Sequence, residues 1–233
     1  MMPKISIIIP TYQHGDAIET CLLSLFNQTF KDFEIIVVND GSTDNTSEIL
    51  EKYKDRVKII NQENRGAPAA RNRGFRESVG QFIIFADADV KAKPEMLAKM
   101  FQALEKHPEA SYAYSSFMWG RKKFGLHEFD GEALKKMNYI TSTTLIRREH
   151  FPGWDESFKK FQDWDLWLTM LEQDHTGVWV PEFLFDVIDT KATMSRWLPS
   201  FMYKIPWEKI GWAPKAIKKY NVALKIIKEK HRL

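Results

Sequence analysis

Four short runs rich in Ile and Val alternate with helix-like segments over the first 85 residues, and this alternation is the feature that most constrains the fold. The runs lie at residues 4–9, 34–38, 57–60 and 81–85. Between them, residues recur at i, i+3, i+4 and i+7, the spacing of an amphipathic helix. Two such sets are Ile18, Cys21, Leu22 and Leu25, then Thr46, Ile49, Leu50 and Tyr53. The alternation predicts an α/β fold with a mostly parallel sheet and helices on both faces.

Two helix starts are marked by residues typical of helix N-termini. Ser42 and Thr43 precede the second helical set, and serine and threonine are favourable N-cap residues. Pro68 precedes a third helical segment, where the first turn of a helix tolerates proline. We therefore expect Ser42 or Thr43 to cap the second helix and Pro68 to lie in the first turn of the third.

Residues that could bind a ligand follow three of the four predicted strands. They are Pro10, Thr11 and Tyr12 after the first strand, Asp40 after the second, and Asp87 and Asp89 after the fourth. Each set alone is also typical of a strand end or a turn. Because ligands bind beyond the carboxyl ends of the strands in open α/β sheets, convergence of all three sets at one edge favours a binding site.

The two carboxylates in the sequence FADADV, Asp87 and Asp89, stand one residue apart at the end of an apolar strand. Like charges this close repel, so either one carboxyl keeps its proton or a cation lies between them. Oxygen ligands on a tight turn suit Mg²⁺ or Mn²⁺, which keep some waters and bridge to substrate phosphates. Aspartate is also a common turn residue, so the pair predicts a metal only together with a phosphate site nearby.

Composition restricts the class of protein. The chain has 233 residues and 44% apolar content, enough for one domain with a sizeable core. Its apolar runs are far shorter than the roughly 20 residues that cross a bilayer, and its first residues do not have the pattern of an export signal. Cys21 is the only cysteine, which excludes an internal disulfide and a cysteine-based zinc site. We expect a cytoplasmic protein without a transmembrane helix.

The formal charge of +3 is distributed unevenly. Residues 197–233 carry +7, from eight lysines and one arginine against two glutamates, which leaves −4 for the rest. A mildly acidic body with a basic, aromatic-rich tail does not fit a nucleic-acid-binding protein. The tail alternates apolar residues with lysines, and two interpretations are open: peripheral contact with anionic lipid at the inner face of a membrane, or packing on the domain with the lysines solvated. The apolar residues are Trp197, Phe201, Tyr203, Trp207, Trp212, Ile217, Val222, Leu224, Ile226 and Ile227.

Four segments, in this order, resemble the family 2 glycosyltransferases, which have the nucleotide-diphospho-sugar-binding GT-A fold. They are ISIIIPTYQHGDAIETCLLSLFNQTFKDFEIIVVNDGSTDNT at 5–46, NRGAPAARNRG at 64–74, FADADV at 85–90 and WDESFKKFQDWDLWLTML at 154–171. The ordered set is specific, whereas each member alone is a weak signal. The resemblance implies a GT-A domain at 1–196, with a donor half at about 1–117 and an acceptor half at about 118–196, followed by the tail at 197–233.

The resemblance also implies roles for individual residues. The nucleotide-sugar donor, for which a UDP-sugar is favoured, would be held by Pro10, Thr11, Tyr12, Asp40, Arg71 and Asp87. Asp40 would accept a hydrogen bond from the base, and Asp89 would bind Mn²⁺ or Mg²⁺ on the diphosphate. By residue type alone, Arg71 fits a solvated helix position equally well.

Asp163 is implied to be the general base of an inverting transfer, which deprotonates the acceptor hydroxyl without a covalent intermediate. Trp164, Trp167, Leu168 and Leu171 fit a buried helical face, which puts Asp163 at the N-terminus of that helix. An aspartate there ordinarily caps the helix, so the role of base depends on the other motifs. Family members usually have Glu-Asp at this position, and this chain has Gln162-Asp163.

Two further departures from the family bear on the reaction. Processive members carry Gln-x-x-Arg-Trp, whereas Arg196-Trp197 is preceded here by Thr193, which indicates a single-addition enzyme. Small members commonly carry Tyr-Arg-x-His near the metal, and the aligned residues here are Val187, Ile188, Asp189 and Thr190. Asp189 and Thr190 are the nearest replacements with oxygen atoms, and metal dependence is still expected.

Other classes of function stay open at this point. The glycine-rich G-x-G-x-x-G turn of a dehydrogenase is absent after the first strand, where only Gly15 is present. A nucleotidyltransferase would carry a glycine-rich basic loop there, and a non-catalytic nucleotide-sugar-binding module would keep the fold without turnover. The sugar and the acceptor are not encoded in any residue spacing. By resemblance, we expect a glycan or lipid-linked acceptor in bacterial envelope or capsule polysaccharide synthesis.

Overall fold

The computed structural model describes residues 2–189 and 213–233, with Ile205 and Trp207 as isolated positions between them. Several sequence predictions lie outside the described residues: those for Thr190, Thr193, Arg196, Trp197, Phe201, Tyr203 and Trp212, and the border between domain and tail at 196/197. Among the described residues, no helix combines the length and apolar character needed to cross a membrane.

One mixed sheet contains all nine strands of the described residues. The strands are β1 (Ile5–Thr11), β2 (Phe33–Asp40), β3 (Lys58–Gln62), β4 (Phe82–Phe85), β5 (Val90–Ala92), β6 (Tyr112–Trp119), β7 (Lys122–Phe124), β8 (Leu145–Arg147) and β9 (Gly177–Val187). Their order is β3-β2-β1-β4-β8-β6-β9-β5, with β7 paired to β6. The first four strands are mutually parallel, and the antiparallel pairs all involve β5, β7 or β8. The division into a donor half and an acceptor half stays a prediction, since one sheet carries both.

Seven α-helices lie within the described residues. They are α1 (Ile18–Phe26), α2 (Thr46–Glu51), α3 (Ala67–Arg76), α4 (Met96–Lys106), α5 (Gly131–Lys136), α6 (Gln162–Glu172) and α7 (Lys215–Lys230). Pro68 lies in the first turn of α3, as predicted. The buried residues of α1 are Ile18, Cys21, Leu22 and Leu25, which confirms the predicted face.

The prediction that Ser42 or Thr43 caps the second helix is wrong. The helix α2 starts later, at Thr46. The backbone amide of Gln13 donates to Ser42 Oγ at 3.0 Å, and its side-chain amide donates to Thr43 Oγ1 at 2.9 Å. Both hydroxyls therefore join the β2–α2 loop to the β1–α1 loop, and Asp44 Oδ1 instead accepts from the amide of Thr46 at 3.1 Å.

Alternation along β1 supplies apolar groups to both faces of the sheet. Ile7 and Ile9 lie in one buried cluster with residues of α1 and α4, and Ile8 lies in a second cluster with residues of α6. Side chains at successive strand positions point to opposite faces, so helices on both sides of the sheet are required to cover them. This arrangement confirms the predicted α/β architecture.

The described part of the tail is the helix α7, which packs on the domain. Ile217 and Ile227 are buried, and Ile227 lies in the same cluster as the residues of α6. Val222 and Ile226, four residues apart on the same helix, are 60% and 50% exposed. The packing interpretation therefore holds for one face of α7, and contact of the other face with lipid stays a prediction.

We predict that Gly74→Ala destabilises the fold, because α3 packs closely on β1 and β2 at this position. A Cβ on Gly74 would lie 2.4 Å from Ile8 Cγ2 and 3.2 Å from Val38 Cγ2. Alanine is the better helix former by about 1 kcal/mol, but forced overpacking costs about 1–3 kcal/mol, and we expect the packing cost to be the larger. Urea denaturation measures the free energy of unfolding. Gly125→Ala, where nothing lies within 4 Å of an added Cβ, is the control. An equal or higher stability of Gly74→Ala would contradict the close packing.

Candidate active site

The parallel strands β1, β2 and β4 bring the predicted polar residues to one edge of the sheet. Thr11 pairs with Asn39 in the register of β1 and β2, and Ile8 pairs with Phe85, so all three strands end on the same side. Thr11 is buried, and its Oγ1 has no hydrogen-bond partner among the described residues. Pro10 is buried within β1, whereas the ring of Tyr12 is exposed beyond the strand end. Thr11 and Tyr12 thus offer a hydroxyl and an aromatic face at this edge.

The carboxylate of Asp40 closes the loop between β3 and α3. It accepts hydrogen bonds from Gln62 Nε2 at 2.7 Å, from the amide of Arg65 at 2.9 Å and from the amide of Gly66 at 2.8 Å. Gly66 has a φ of +89°, a conformation that disfavours side chains. Asp40 therefore shapes the loop of the NRGAP segment, and any contact with a donor base would be additional to this role.

Arg71 is buried at the centre of the site, only 4% exposed, so the interpretation as a solvated helix residue is wrong. One guanidinium nitrogen forms an ion pair with Asp87 at 2.7 Å, and another donates to Gln162 Oε1 at 3.2 Å. The guanidinium also lies 4.5 Å from the centre of the Trp154 ring. Burial alone would lower the pKa of Arg71, but the carboxylates of Asp87, Asp163 and Asp89 raise it. Arg71 is therefore a fixed positive charge.

Ser142 joins Asp87 to Asp163. Its hydroxyl donates to Asp87 Oδ2 at 3.1 Å, and its backbone amide hydrogen-bonds the carboxylate of Asp163. Asp163 is the second residue of α6, next to Gln162, which binds Arg71. Asp87, predicted to bind the donor, and Asp163, the predicted base, thus belong to one hydrogen-bonded group.

Burial raises the pKa of Asp163 to about 6, against the opposing charge of Arg71, and the negative charge of Asp87 adds to the increase. A carboxyl group with a pKa near 6 is mostly ionised at neutral pH and is still a stronger base than an ordinary aspartate. The arrangement can therefore accept a proton from a hydroxyl group at this position.

Asp89 lies beside the segment that aligns with the missing Tyr-Arg-x-His motif. The strand β5 pairs with β9 through Val90 and Val187, and the amide of Ile188 donates to the backbone oxygen of Asp89 at 2.8 Å. Asp189 follows on the exposed surface. The side chain of Asp89 is buried, and the described residues contain no group of three or more His, Cys, Asp or Glu that could hold a metal. The oxygen donors fit a Mg²⁺ or Mn²⁺ ion that is held mainly by phosphates and water.

Sequence reasoning missed three residues of the site: Asn72, Ser142 and Trp154. Asn72 exchanges two hydrogen bonds with the backbone of Trp154, one to its oxygen at 2.8 Å and one from its amide at 2.9 Å. This pair holds the Trp154 ring against Arg71. Asn72 lies inside the NRGAPAARNRG segment and Trp154 opens the WDES segment, so both were within recognised motifs; Ser142 lies in no motif.

A family model described as "Glycosyl transferase family 2" matches residues 6–161. Among relatives, the uncharacterised glycosyltransferase YibD of Escherichia coli is 29% identical over 82% of this chain and 59% of its own. The putative teichuronic acid biosynthesis glycosyltransferase TuaG of Bacillus subtilis is 28% identical over 93% of this chain and 97% of its own. A Campylobacter jejuni β-1,3-glucosyltransferase that acts on GalNAc(5)-diNAcBac-PP-undecaprenol is 31% identical over 68% of this chain and 52% of its own. The chain thus spans little more than half the length of two of these three relatives.

Two solved structures share the fold. TarS of Staphylococcus aureus, in complex with UDP, is 22% identical with a TM-score of 0.69, over 80% of this chain and 61% of that one. The mannosyltransferase PcManGT of Pyrobaculum calidifontis, in complex with GDP-Man and Mn²⁺, is 17% identical with a TM-score of 0.65, over 97% and 70%. The likeness confirms the predicted GT-A fold. The matched family model, the relatives and this fold together show that the chain belongs to glycosyl transferase family 2 and is related to glycosyltransferases of polysaccharide biosynthesis.

Proposed function

We propose that this glycosyltransferase moves a sugar from a nucleotide-diphospho-sugar to an acceptor hydroxyl, with inversion and one sugar per encounter. The observation that carries the proposal is Asp163, whose pKa of about 6 suits a general base and which Ser142 and Arg71 connect to Asp87. A UDP-sugar is the favoured donor, and TarS, which shares the fold, is known in complex with UDP. The acceptor is a glycan or lipid-linked glycan of polysaccharide synthesis.

On the donor side, the exposed ring of Tyr12 is the stacking surface for the base, and Thr11 supplies a buried hydroxyl for the nucleoside. Asp40 orders the loop that faces the nucleotide through its three hydrogen bonds. Asp87, held by Arg71, contacts the ribose. A contact with rigid partners loses less side-chain entropy on binding, so this network favours a preorganised donor site.

On the acceptor side, Asp163 takes the proton of the hydroxyl that attacks the anomeric carbon in line with the departing diphosphate. Direct displacement inverts the configuration at that carbon and requires no enzyme nucleophile. Arg71 and the amide of Ser142 favour the ionised form of Asp163 and orient it. A divalent cation, when bound by Asp89 and the diphosphate, would stabilise the negative charge on the leaving group.

The exposed face of α7 is proposed to contact anionic lipid. Val222 and Ile226 form its apolar part, and the lysines at 218, 219 and 225 lie exposed around them. Apolar side chains insert at the interface while lysines remain with the headgroups. Each basic residue near an anionic surface contributes about 1 kcal/mol to the free energy of membrane binding. This surface would bring the site close to a lipid-linked acceptor.

We predict that Asp163→Asn lowers turnover by roughly 10²–10⁴, because the amide cannot accept the acceptor proton. Calorimetry with UDP and Mn²⁺ should give an affinity within a few-fold of the native value, because Asp163 does not hold the donor. Turnover is measured as UDP release from UDP-glucose, UDP-galactose and UDP-N-acetylglucosamine. For the native protein, kcat/KM should rise with pH up to about 6, where Asp163 becomes ionised, and then level off. Unchanged turnover with weakened UDP binding would remove Asp163 from the role of base.

We predict that metal and nucleotide bind cooperatively, because the described residues contain no group of three or more His, Cys, Asp or Glu that could hold the metal together with Asp89. Calorimetric titration of Mn²⁺ should give weak binding to the protein alone and an affinity at least about tenfold higher with UDP present. Asp89→Ala should abolish the difference, and Asp189→Ala tests whether Asp189 is a further ligand. Full activity in excess chelator would show that the reaction proceeds without the cation.

We predict that replacing both Val222 and Ile226 by serine weakens binding to vesicles rich in phosphatidylglycerol by about tenfold or more, because two apolar side chains no longer enter the interface. Flotation with the vesicles measures binding. Val79→Ser is the matched control, because Val79 is 51% exposed and lies outside α7. Equal binding of the native protein and the double variant would reject lipid contact through this face.

A further inference from the structure

The last residues of the chain form an ionic contact with α6 that the proposed reaction does not use. Lys230 Nζ lies 2.6 Å from Asp165 Oδ1 and 2.9 Å from Asp155 Oδ2. His231 Nε2 lies 2.9 Å from Asp165 Oδ1, and His231 Nδ1 lies 2.8 Å from Glu172 Oε1. We call these five residues the C-terminal clamp. It joins the end of α7 to both ends of α6 and to the WDES segment before it.

The geometry of His231 requires a charged imidazole. Its side chain is 1% exposed, and each ring nitrogen faces a carboxylate oxygen. An ionised carboxylate has no proton to donate, so it can only accept a hydrogen bond from the ring. Both nitrogens therefore carry a proton. Burial would lower the pKa of His231, but the hydrogen bonds to Asp165 and Glu172 raise it. The clamp thus balances the charge of buried Asp165 with two cations, Lys230 and His231.

A second contact reaches the start of α6. The ring of Tyr220 on α7 meets the ring of Phe161 edge-on, with 5.2 Å between centroids. Phe161, which directly precedes α6, has a left-handed backbone with a φ of +60°. Such a conformation is unfavourable for a bulky residue and persists only where the surroundings hold it. The helix α7 therefore holds the chain at the point where α6 begins.

Asp163 and Asp165 lie on different sides of the first turn of α6, because residues two apart on a helix do not face each other. The side of Asp163 meets Ser142 and Arg71, and the side of Asp165 meets Lys230 and His231. The first turn is thus fixed from both sides.

We propose that the C-terminal clamp positions the catalytic base: Lys230 and His231, acting through Asp165, hold the first turn of α6 so that Asp163 faces the reacting hydroxyl. The inference rests on the proposed role of Asp163 as base. Lys230 and His231 contact Asp165, on the side of α6 away from Asp163, so we assign them as positioning residues. Because a displacement of about 1 Å at a reacting group can cost about 100-fold in rate, a contact on the far side of the helix can control turnover.

The test uses the full chain with Lys230→Met, His231→Gln and the conservative Lys230→Arg. Lys228→Met, on an exposed position of the same helix, controls for loss of charge. Leu104→Ala, in the buried face of α4, controls for loss of stability away from α6. Three quantities are measured for each variant: the thermal midpoint, the affinity for UDP with Mn²⁺, and kcat for UDP release. The pKa of the Asp163 carboxyl, followed by carbon NMR, reports its position without turnover.

Lys230→Met and His231→Gln should lower kcat by roughly 10–100-fold with UDP affinity changed less than about twofold, and should move the pKa of Asp163. Lys230→Arg should retain most of the activity. If Lys230→Met fails to fold, Asp165→Asn removes the same charge pairing from the side of α6 and should have the same effect. Losses in kcat no larger than those of Leu104→Ala, with the pKa of Asp163 unmoved, would overturn the proposal. Native turnover in Asp163→Asn would instead refute the proposed base, and the NMR result would still decide whether the clamp positions Asp163.

Discussion

The ion pair between the buried Arg71 and the partly exposed Asp87 is the interaction on which the arrangement of the site depends. It joins α3 to the loop after β4, and through Gln162 it reaches the first residue of α6. A charged group this deeply buried is tolerated only with a partner and further hydrogen bonds, so Arg71 must stay where Asp87 and Gln162 hold it. The same charge partly offsets the effect of burial on Asp163. One guanidinium therefore influences both the position of Asp87, the proposed donor-binding carboxylate, and the basicity of Asp163, the proposed base.

Much of the fold could be predicted because local periodicity reports burial. The parallel strands and the buried face of α1 follow from spacing that the core imposes, whereas the position of Pro68 follows from the tolerance of the first helical turn for proline. Contacts between distant residues could not be predicted in this way: Ser142 meets Asp87 across 55 residues, and His231 meets Asp165 across 66. Ser42 and Thr43 were misassigned for the same reason, since their hydroxyls bind Gln13 of another loop. The motifs located the site residues by resemblance, but only the fold reveals that Arg71 is buried.

Two of the three departures from the family oppose each other in local charge. Glutamine at 162, where relatives usually carry glutamate, leaves Arg71 to balance Asp87, Asp163 and Asp89 without a further carboxylate. A glutamate there would add negative charge beside Asp163 and favour its protonated form. The missing His and Arg of the Tyr-Arg-x-His motif remove positive charge from the place where the family resemblance puts the diphosphate. A less negative site would tolerate that loss better, because the diphosphate of the proposed donor would meet weaker repulsion.

The raised pKa of Asp163 also has a cost for the fold. An aspartate whose pKa rises from 3.8 to about 6 on folding destabilises the native state above that pH, by roughly 3 kcal/mol if one pKa unit corresponds to about 1.4 kcal/mol. The native state therefore has this additional stability below the unfolded-state pKa of 3.8, where the carboxyl is protonated, and loses it as the pH rises through about 6. Burial both raises the basicity of the Asp163 carboxylate and imposes the cost, so the surrounding contacts must hold an unfavourable charge in place. Arg71 and Ser142 do so from one side of α6, and packing of α7 supports the helix from the other.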